Sequence, residues 1–321
     1  MRAWMIGLLI APTTACDAGP SRSGEPTGTT SAAVASAPRA AGGPLRLIDV
    51  HRLAGGADRF FVSPRWSPDG DRLLLSGWRG VGLWTVDPGT GEVHEVDTTC
   101  QGPAFWAPDG SGVAFRADDA SGAWQLRSLA AGPGRLAGRP EFVPSTVPAG
   151  DVPADAELLF DGRGRRVAYE EYRGRLEAWE SGDRRVLASE GAAGPRASAD
   201  GARVAWWTGP LLDPTLHVAG LDGHECFAGP GAHPAWLADG ERLVYAVPQA
   251  GPGPDDAPRV AASELRLLDL RDGSSTALTA TPDAAEMQPA IAPDGRRLAF
   301  ADWATGEILL GRLVDVPGGA P

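Results

Sequence analysis

The chain has 321 residues, 43% hydrophobic and 22% charged, with 43 glycines, 29 prolines and a formal net charge of −12. The excess of acid argues against nucleic acid as a partner, because phosphate binding needs clustered basic residues. The glycine and proline content favours many turns and short strands over long helices.

The N-terminus, MRAWMIGLLIAPTTACDAG, has one basic residue, Arg2, followed by an apolar run over 3–11. The run is too short to cross a bilayer, which takes about 20 residues, and it has the shape of a secretory signal. Small residues before Cys16 resemble a bacterial lipobox. That resemblance implies a signal peptide over 1–15 and lipidation at Cys16. It also implies an extracytoplasmic protein held on the cell membrane, facing the periplasm in a diderm bacterium. After the cysteine, residues up to 44 are almost all Ala, Gly, Ser, Thr and Pro. Such a segment buries too little apolar surface to fold, so 16–44 is expected to be a disordered tether. Residues 45–53, LRLIDVHRL, read as a strand.

From residue 64 one phrase keeps returning. It reads PRWSPDGDRLLL at 64–75, AFWAPDGSGVAF at 104–115 and LLFDGRGRRVAY at 158–169. It then reads PRASADGARVAW at 195–206, PAWLADGERLVY at 234–245 and PAIAPDGRRLAF at 289–300. The aligned glycines are Gly70, Gly110, Gly164, Gly201, Gly240 and Gly295, spaced 40, 54, 37, 39 and 55 residues apart. A period near 40 suits four-stranded propeller blades. Within the phrase, Pro presets φ, Asp bonds its own backbone and Gly takes the left-handed position of a tight turn. The flanks read as buried strands. A third strand follows each copy, and in most copies a fourth follows a second glycine-containing turn.

The phrase resembles the PD40, or WD40-like, repeat of TolB-type six-bladed propellers. The resemblance implies an all-β fold over 45–316: six four-stranded antiparallel blades, followed by a tail at 317–321. The last copy runs out after three strands, so 45–53 is expected to supply its fourth and close the ring. Closure would remove two open sheet edges. The α/β domain that precedes the propeller in TolB has no counterpart here, so the resemblance implies fold and not TolB's role in its envelope complex.

In such a ring the repeated turn lies on the bottom face. The long insertions, 139–156, 208–214 and 248–263, fall on the top, and insertions on one face mark a binding face. Three aligned top positions are aromatic: Trp78, Tyr172 and Trp303, each eight residues past its turn glycine. Rim aromatics either stack a sugar or peptide group or pack between blades. The entries to the innermost strands align at Ser63, Pro103, Glu157, Gly194, His233 and Gln288. Of these, Glu157, His233 and Gln288 form either a polar binding ring or a merely solvated channel mouth. Trp66, Trp106, Trp84, Trp124 and Trp236 recur at core positions and are read as packing.

The top insertions carry Glu141, Asp151, Asp155, Asp213, Asp255 and Asp256, which suit a cationic partner or a hard divalent cation. No other cofactor is expected. The chain has no G-x-S-x-G elbow, H-E-x-x-H, C-x-x-C or phosphate-cradling glycine loop. Cys100 and Cys226 fall on the first and fourth units, across the ring, so no bridge is expected between them. Two functions follow. The first is a monomeric, membrane-tethered binding or scaffold module whose top face recognises an envelope protein, peptide or glycan. The alternative is a lyase or hydrolase, metal-dependent in one version, with a channel-mouth site at Glu157, His233 and Gln288.

Overall fold

The computed structural model describes residues 44–107, 109–117, 124–128, 132–135, 156–160, 166–170, 174–180, 183–253 and 258–316. These residues are all-β, with one short 3-10 turn at Trp78–Gly80. The first of the described elements is β1 (Leu45–Gly55). One seven-stranded sheet follows: β2 (Phe61–Trp66), β3 (Leu73–Gly77), β4 (Val81–Val86), β5 (Val93–Trp106), β6 (Gly112–Ala117), β7 (Trp124–Ser128) and β8 (Gly132–Arg135). The long strand β5 pairs with β4 through its first half and with β6 through its second, so the sheet is two four-stranded units sharing one strand.

Four four-stranded antiparallel sheets complete the fold. One holds β9 (Ala156–Phe160), β10 (Arg166–Glu170), β11 (Arg175–Glu180) and β12 (Asp183–Ala188). The next holds β13 (Ala193–Ala197), β14 (Arg203–Thr208), β15 (Thr215–Gly220) and β16 (Glu225–Pro230). Then come β17 (Ala232–Trp236), β18 (Arg242–Pro252), β19 (Pro258–Asp269) and β20 (Ser274–Ala277). The last sheet contains β21 (Glu286–Ile291), β22 (Arg297–Asp302) and β23 (Glu307–Asp315), and its fourth strand is β1. The β1–β23 register runs from Leu45 opposite Asp315 to Gly55 opposite Glu307.

The repeated phrase makes the hairpin between the first and second strands of a sheet. Gly70 N–H donates to the Ser67 carbonyl at 2.9 Å, and Ser67 N–H donates to the Arg72 carbonyl at 2.9 Å. Asp69 Oδ1 accepts from Asp71 N–H at 3.0 Å. The same three bonds recur around Gly110, Gly201, Gly240 and Gly295. The turn glycines have φ between 64° and 76°, a region closed to most side chains.

The phrase also staples neighbouring units. The indole N–H of Trp106 donates to the Arg65 carbonyl at 3.1 Å, and that of Trp236 to the Arg196 carbonyl at 2.9 Å. Trp66, in the first copy, donates to the Ala290 carbonyl of the last at 3.0 Å. These tryptophans therefore pack, as their recurrence suggests, and also bond one unit to the one before it.

The core lies in apolar layers between neighbouring four-stranded units. Leu74 and Leu83 meet Val113 and Phe115, Leu216 and Val218 meet Leu243 and Tyr245, and Val244 and Leu265 meet Leu298 and Phe300. One more layer joins the two ends of the fold: Phe61, Leu73 and Leu75 pack with Ala299, Ala301 and Ile308.

One insertion differs from the loop expected at 248–263. There β18 and β19 stay paired past the core, from Val247 opposite Glu264 to Pro252 opposite Pro258. Its glycines and prolines read as a loop in sequence. The two arms nevertheless stay paired, with one shift of register between Gln249 and Ala250, so the ladder continues outward and Arg259 reaches the Pro252 carbonyl at 3.3 Å.

Candidate functional site

The first strands β2, β13, β17 and β21 each lose register at the same place: between Val62 and Arg65, Ala193 and Arg196, Ala232 and Ala235, and Met287 and Ala290. A bulge of this kind re-aims a side chain out of the ladder. The residues at the bulge, Ser63, Gly194, His233 and Gln288, have φ of 54°, 52°, 54° and 53°. Glycine adopts that conformation freely. For Ser, His and Gln it costs about 1–2 kcal/mol each. All four line a single cavity of about 570 Å³, walled further by Arg65, Arg196 and a series of Ala and Pro residues.

Gln288 is held by two donors. Its Oε1 accepts from the Ser63 N–H at 2.8 Å and from the Trp303 indole N–H at 3.2 Å. Both partners can only donate, which settles the orientation of the amide. Among the described residues its Nε2 makes no hydrogen bond.

Around this point runs an arc of rings. Phe60 meets Trp78 edge-on at 4.8 Å between centroids, and Trp78 meets Trp303 edge-on at 5.7 Å. Trp303 lies 5.9 Å from the His233 ring, which lies 5.5 Å from Trp207. The arc thus reaches from the 3-10 turn after β3, past the end of β22, to β17 and β14. Its outer member, Trp78, is 47% exposed.

The inner end of the arc is buried and incompletely satisfied. His233 Nε2 and Trp207 Nε1 are both buried without a hydrogen-bond partner. Burial, reinforced by the nearby positive charge of Arg196, pulls the His233 pKa down to about 4. The imidazole is therefore neutral near pH 7. The described cavity wall includes two arginines and no carboxylate.

Four of the sequence candidates, Trp78, Trp303, His233 and Gln288, thus form one connected site. Glu157 sits on β9 opposite Tyr169, but its side chain lies outside the described residues, as do Tyr172 and Cys16. Of the acidic loop candidates, Asp213 is exposed. The other five lie outside the described residues. Among the described residues no group of three or more His, Cys, Asp or Glu side chains could hold a metal. Cys100 is a buried free thiol on β5. Sequence reasoning missed Phe60, Trp207, Arg65 and Arg196. The two arginines had a signal: each stands two places after the inner-strand entry of its copy, where the other copies have Phe105, Leu159, Ala235 and Ala290.

A second polar cluster lies away from the cavity. Thr208 Oγ1 is 3.0 Å from His217 Nε2, and His217 Nδ1 is 2.8 Å from Glu225 Oε1. The three residues stand on β14, β15 and β16, with His217 stacked on Trp206 at 5.3 Å.

No family model and no curated protein matches the chain. Solved structures do. A TolB-like protein from Agrobacterium tumefaciens is 19% identical with a TM-score of 0.50, the match covering 86% of this chain and 100% of that one. A gluconolactonase from Xanthomonas campestris is 12% identical with a TM-score of 0.52, covering 85% and 98%. The Dos1 propeller is 10% identical with a TM-score of 0.50, covering 84% and 95%. At these identities the likeness shows fold: the chain is built like the β-propellers it matches.

Proposed function

We propose that the protein is a six-bladed propeller closed by β1, and that it serves as a binding module. Three observations support the closed ring: the pairing of β1 with β23, the Trp66–Ala290 bond and the apolar layer shared by first and last sheets. The lipobox-like N-terminus and the tether-like segment after it support a protein carried outside the cytoplasmic membrane on a lipid at Cys16. The ligand of its top face is an envelope protein, peptide or glycan, bound by a monomer.

The observation that carries the binding reading is the Trp78–Trp303 pair. A large aromatic ring left half-exposed, yet held edge-on by two others, is pre-ordered for contact and loses little freedom on binding. Cross-linking in native envelopes should identify a partner, whose affinity is then measured with purified protein. Trp78→Ala is expected to weaken binding about ten-fold or more without lowering the unfolding temperature appreciably. Unchanged affinity would remove the rim from the site.

A hydrolase reading at a different place from the channel mouth has one specific observation in its favour, the Thr208–His217–Glu225 chain on β14, β15 and β16, which has the order hydroxyl, imidazole, carboxylate. Ester hydrolysis by the purified protein that disappears in Thr208→Ala would establish it.

A further inference from the structure

Resting on the binding reading, the surroundings of Trp78 narrow the partner. The turn that joins β3 to β4 runs from Trp78 to Val81 and is closed by the Val81 N–H, which donates to the Trp78 carbonyl. Four large apolar side chains are exposed among the described residues, and two of them, Trp78 at 47% and Val81 at 45%, are the corners of this one turn. Exposed apolar groups that cluster mark an interaction site, whereas single ones do not. The β3–β4 register sets Ser76 opposite Leu83; continued by two places it sets Trp78 opposite Val81, so both project from one side of the hairpin. Between the corners stands Arg79 with φ of 60°, followed by Gly80 with φ of 75°. A turn with both centres left-handed favours Asn-Gly or Gly-Gly, so arginine is strained there. Its side chain returns nothing to the fold: it is exposed, and among the described residues it makes no hydrogen bond or ion pair. A second arginine stands beside it. The Trp78 N–H donates to the Phe60 carbonyl at 3.2 Å, so Arg59, before Phe60, and Arg79, after Trp78, flank one bonded pair at the ends of β2 and β3. The Arg59 guanidinium carbon lies 5.2 Å from the centre of the Trp84 ring, and this guanidinium too has no ion pair among the described residues. Asp58 is exposed and pairs with neither arginine. In a chain with 41 acidic against 29 basic residues, two uncompensated cations on adjoining strand ends are a local exception, and their repulsion opposes folding.

We infer that the Trp78–Val81 turn docks an acidic peptide segment, with an apolar side chain of the peptide against Trp78 and Val81 and its flanking carboxylates on Arg79 and Arg59. A guanidinium matches a carboxylate by two parallel N–H···O bonds. The apolar corners suit a side chain better than a hydroxylated ring, because a sugar brings donors that need acceptors, and Trp78, Val81, Arg79 and Arg59 supply none. Repulsion from the rest of the acidic chain is screened beyond about 10 Å at 0.1 M salt, so the groups in contact decide the preference.

An NMR titration of the full chain, read on its tryptophan indole N–H signals, tests the inference without knowledge of the natural partner. The probes are peptides capped at both ends with a central leucine flanked by glutamates, the same peptides with glutamine or lysine in place of glutamate, an oligoglucuronate, and phosphatidylglycerol vesicles. Saturable binding of the glutamate peptide is expected, about three-fold or more tighter than that of the glutamine peptide. Arg79→Asn should weaken it about three-fold or more while the unfolding temperature stays at or above that of the wild type, because asparagine suits the left-handed position. The double variant Arg59→Gln, Arg79→Asn should bind the glutamate and glutamine peptides equally, and Arg79→Glu should prefer the lysine peptide. Four results would overturn the inference: no saturable binding of the glutamate peptide, equal binding of glutamate and glutamine peptides by the wild type, full affinity in Arg79→Asn, or tighter binding of oligoglucuronate or vesicles than of the glutamate peptide. Any of these alongside a native partner still lost in Trp78→Ala would reject the acidic peptide and leave the rim reading standing.

Discussion

Trp66 and Ala290 lie 224 positions apart in the chain and are joined by a hydrogen bond of 3.0 Å. The bond repeats, between the first copy of the phrase and the last, what Trp106 and Trp236 do between consecutive copies. Arg297 adds to the junction, its guanidinium carbon 4.6 Å from the centre of the Trp66 ring.

Trp66→Phe keeps most of the packing and deletes the donor. It is expected to destabilise the fold by about 1–2 kcal/mol, because the Ala290 carbonyl is left without its partner. Trp66→Ala should cost about 3 kcal/mol or more through the cavity it leaves. Urea unfolding of both variants measures the difference.

Gly194 and Ser63 form a paired test of the bulge strain. A Cβ at Gly194 would meet Trp207 Nε1 at 3.2 Å in a backbone with φ of 52°. Gly194→Ala should therefore cost about 1–2 kcal/mol. Ser63→Gly releases left-handed strain and loosens the unfolded chain, two effects of opposite sign, so its stability should stay near that of the wild type. A clear loss in Ser63→Gly would show that the serine hydroxyl, rather than the backbone shape, is what the site needs.

The buried imidazole predicts a pH dependence. His233 titrates near 4 in the fold against an ordinary value of 6.5. Between those values the unfolded chain takes up a proton that the folded chain refuses. Stability should fall as pH drops from 6.5 through 4, by about 3 kcal/mol in full. Glu286 acts oppositely: burial raises its pKa above the ordinary 4.5, so its contribution fades as pH rises through the folded value. Asp69 and Asp109 have lowered pKa values, chiefly from the hydroxyls of Ser67 and Ser111, so their contribution is lost only at still lower pH. His233→Asn isolates the histidine, since Asn tolerates the left-handed backbone. Denaturation series at several pH values should show a smaller slope between 6.5 and 4 in the variant.

Cys100 should be chemically silent. Burial, with Asp97 nearby, pushes its thiol up to about 12. At pH 8 its alkylation in the folded protein is expected to run at least about a hundred-fold slower than in urea, since the thiolate is the reactive form. Mass spectrometry of the peptide bearing Cys100 reads this directly.

Much of the fold was legible because the turn is written in residues with few alternatives. Asp69, Gly70 and their copies make the bonds that their types imply. The Trp78–Trp303 contact was half-legible: their shared offset from the turn glycines set them at one level, and adjacency followed if the first unit meets the last. The bulge was hidden. Ser63, His233 and Gln288 share no side-chain chemistry, and only Gly194 hinted that their common position has positive φ. The outward continuation of β18 and β19 was hidden too, because ladder register is a property of two segments and proline-rich composition masked both. Trp207 joined the site by packing on His233 of the neighbouring sheet, and Phe60 by meeting Trp78 across the β2–β3 pair, contacts that sequence spacing does not encode.

Strand β1 is made first and its mate β23 last. Until residues 307–315 have been synthesised, β1 waits without its sheet partner, and a waiting edge invites wrong partners. Its own charges guard it. Asp49 ends up paired with Arg312 at 2.6 Å and Arg52 with Glu307 at 3.5 Å, so the groups that discourage mispairing early also choose the register at the end. Folding must then be a late event, governed by contacts far apart in the chain, and slow for that reason. A chain truncated before Glu307 leaves β1 without its partner, and such fragments are expected to aggregate rather than fold.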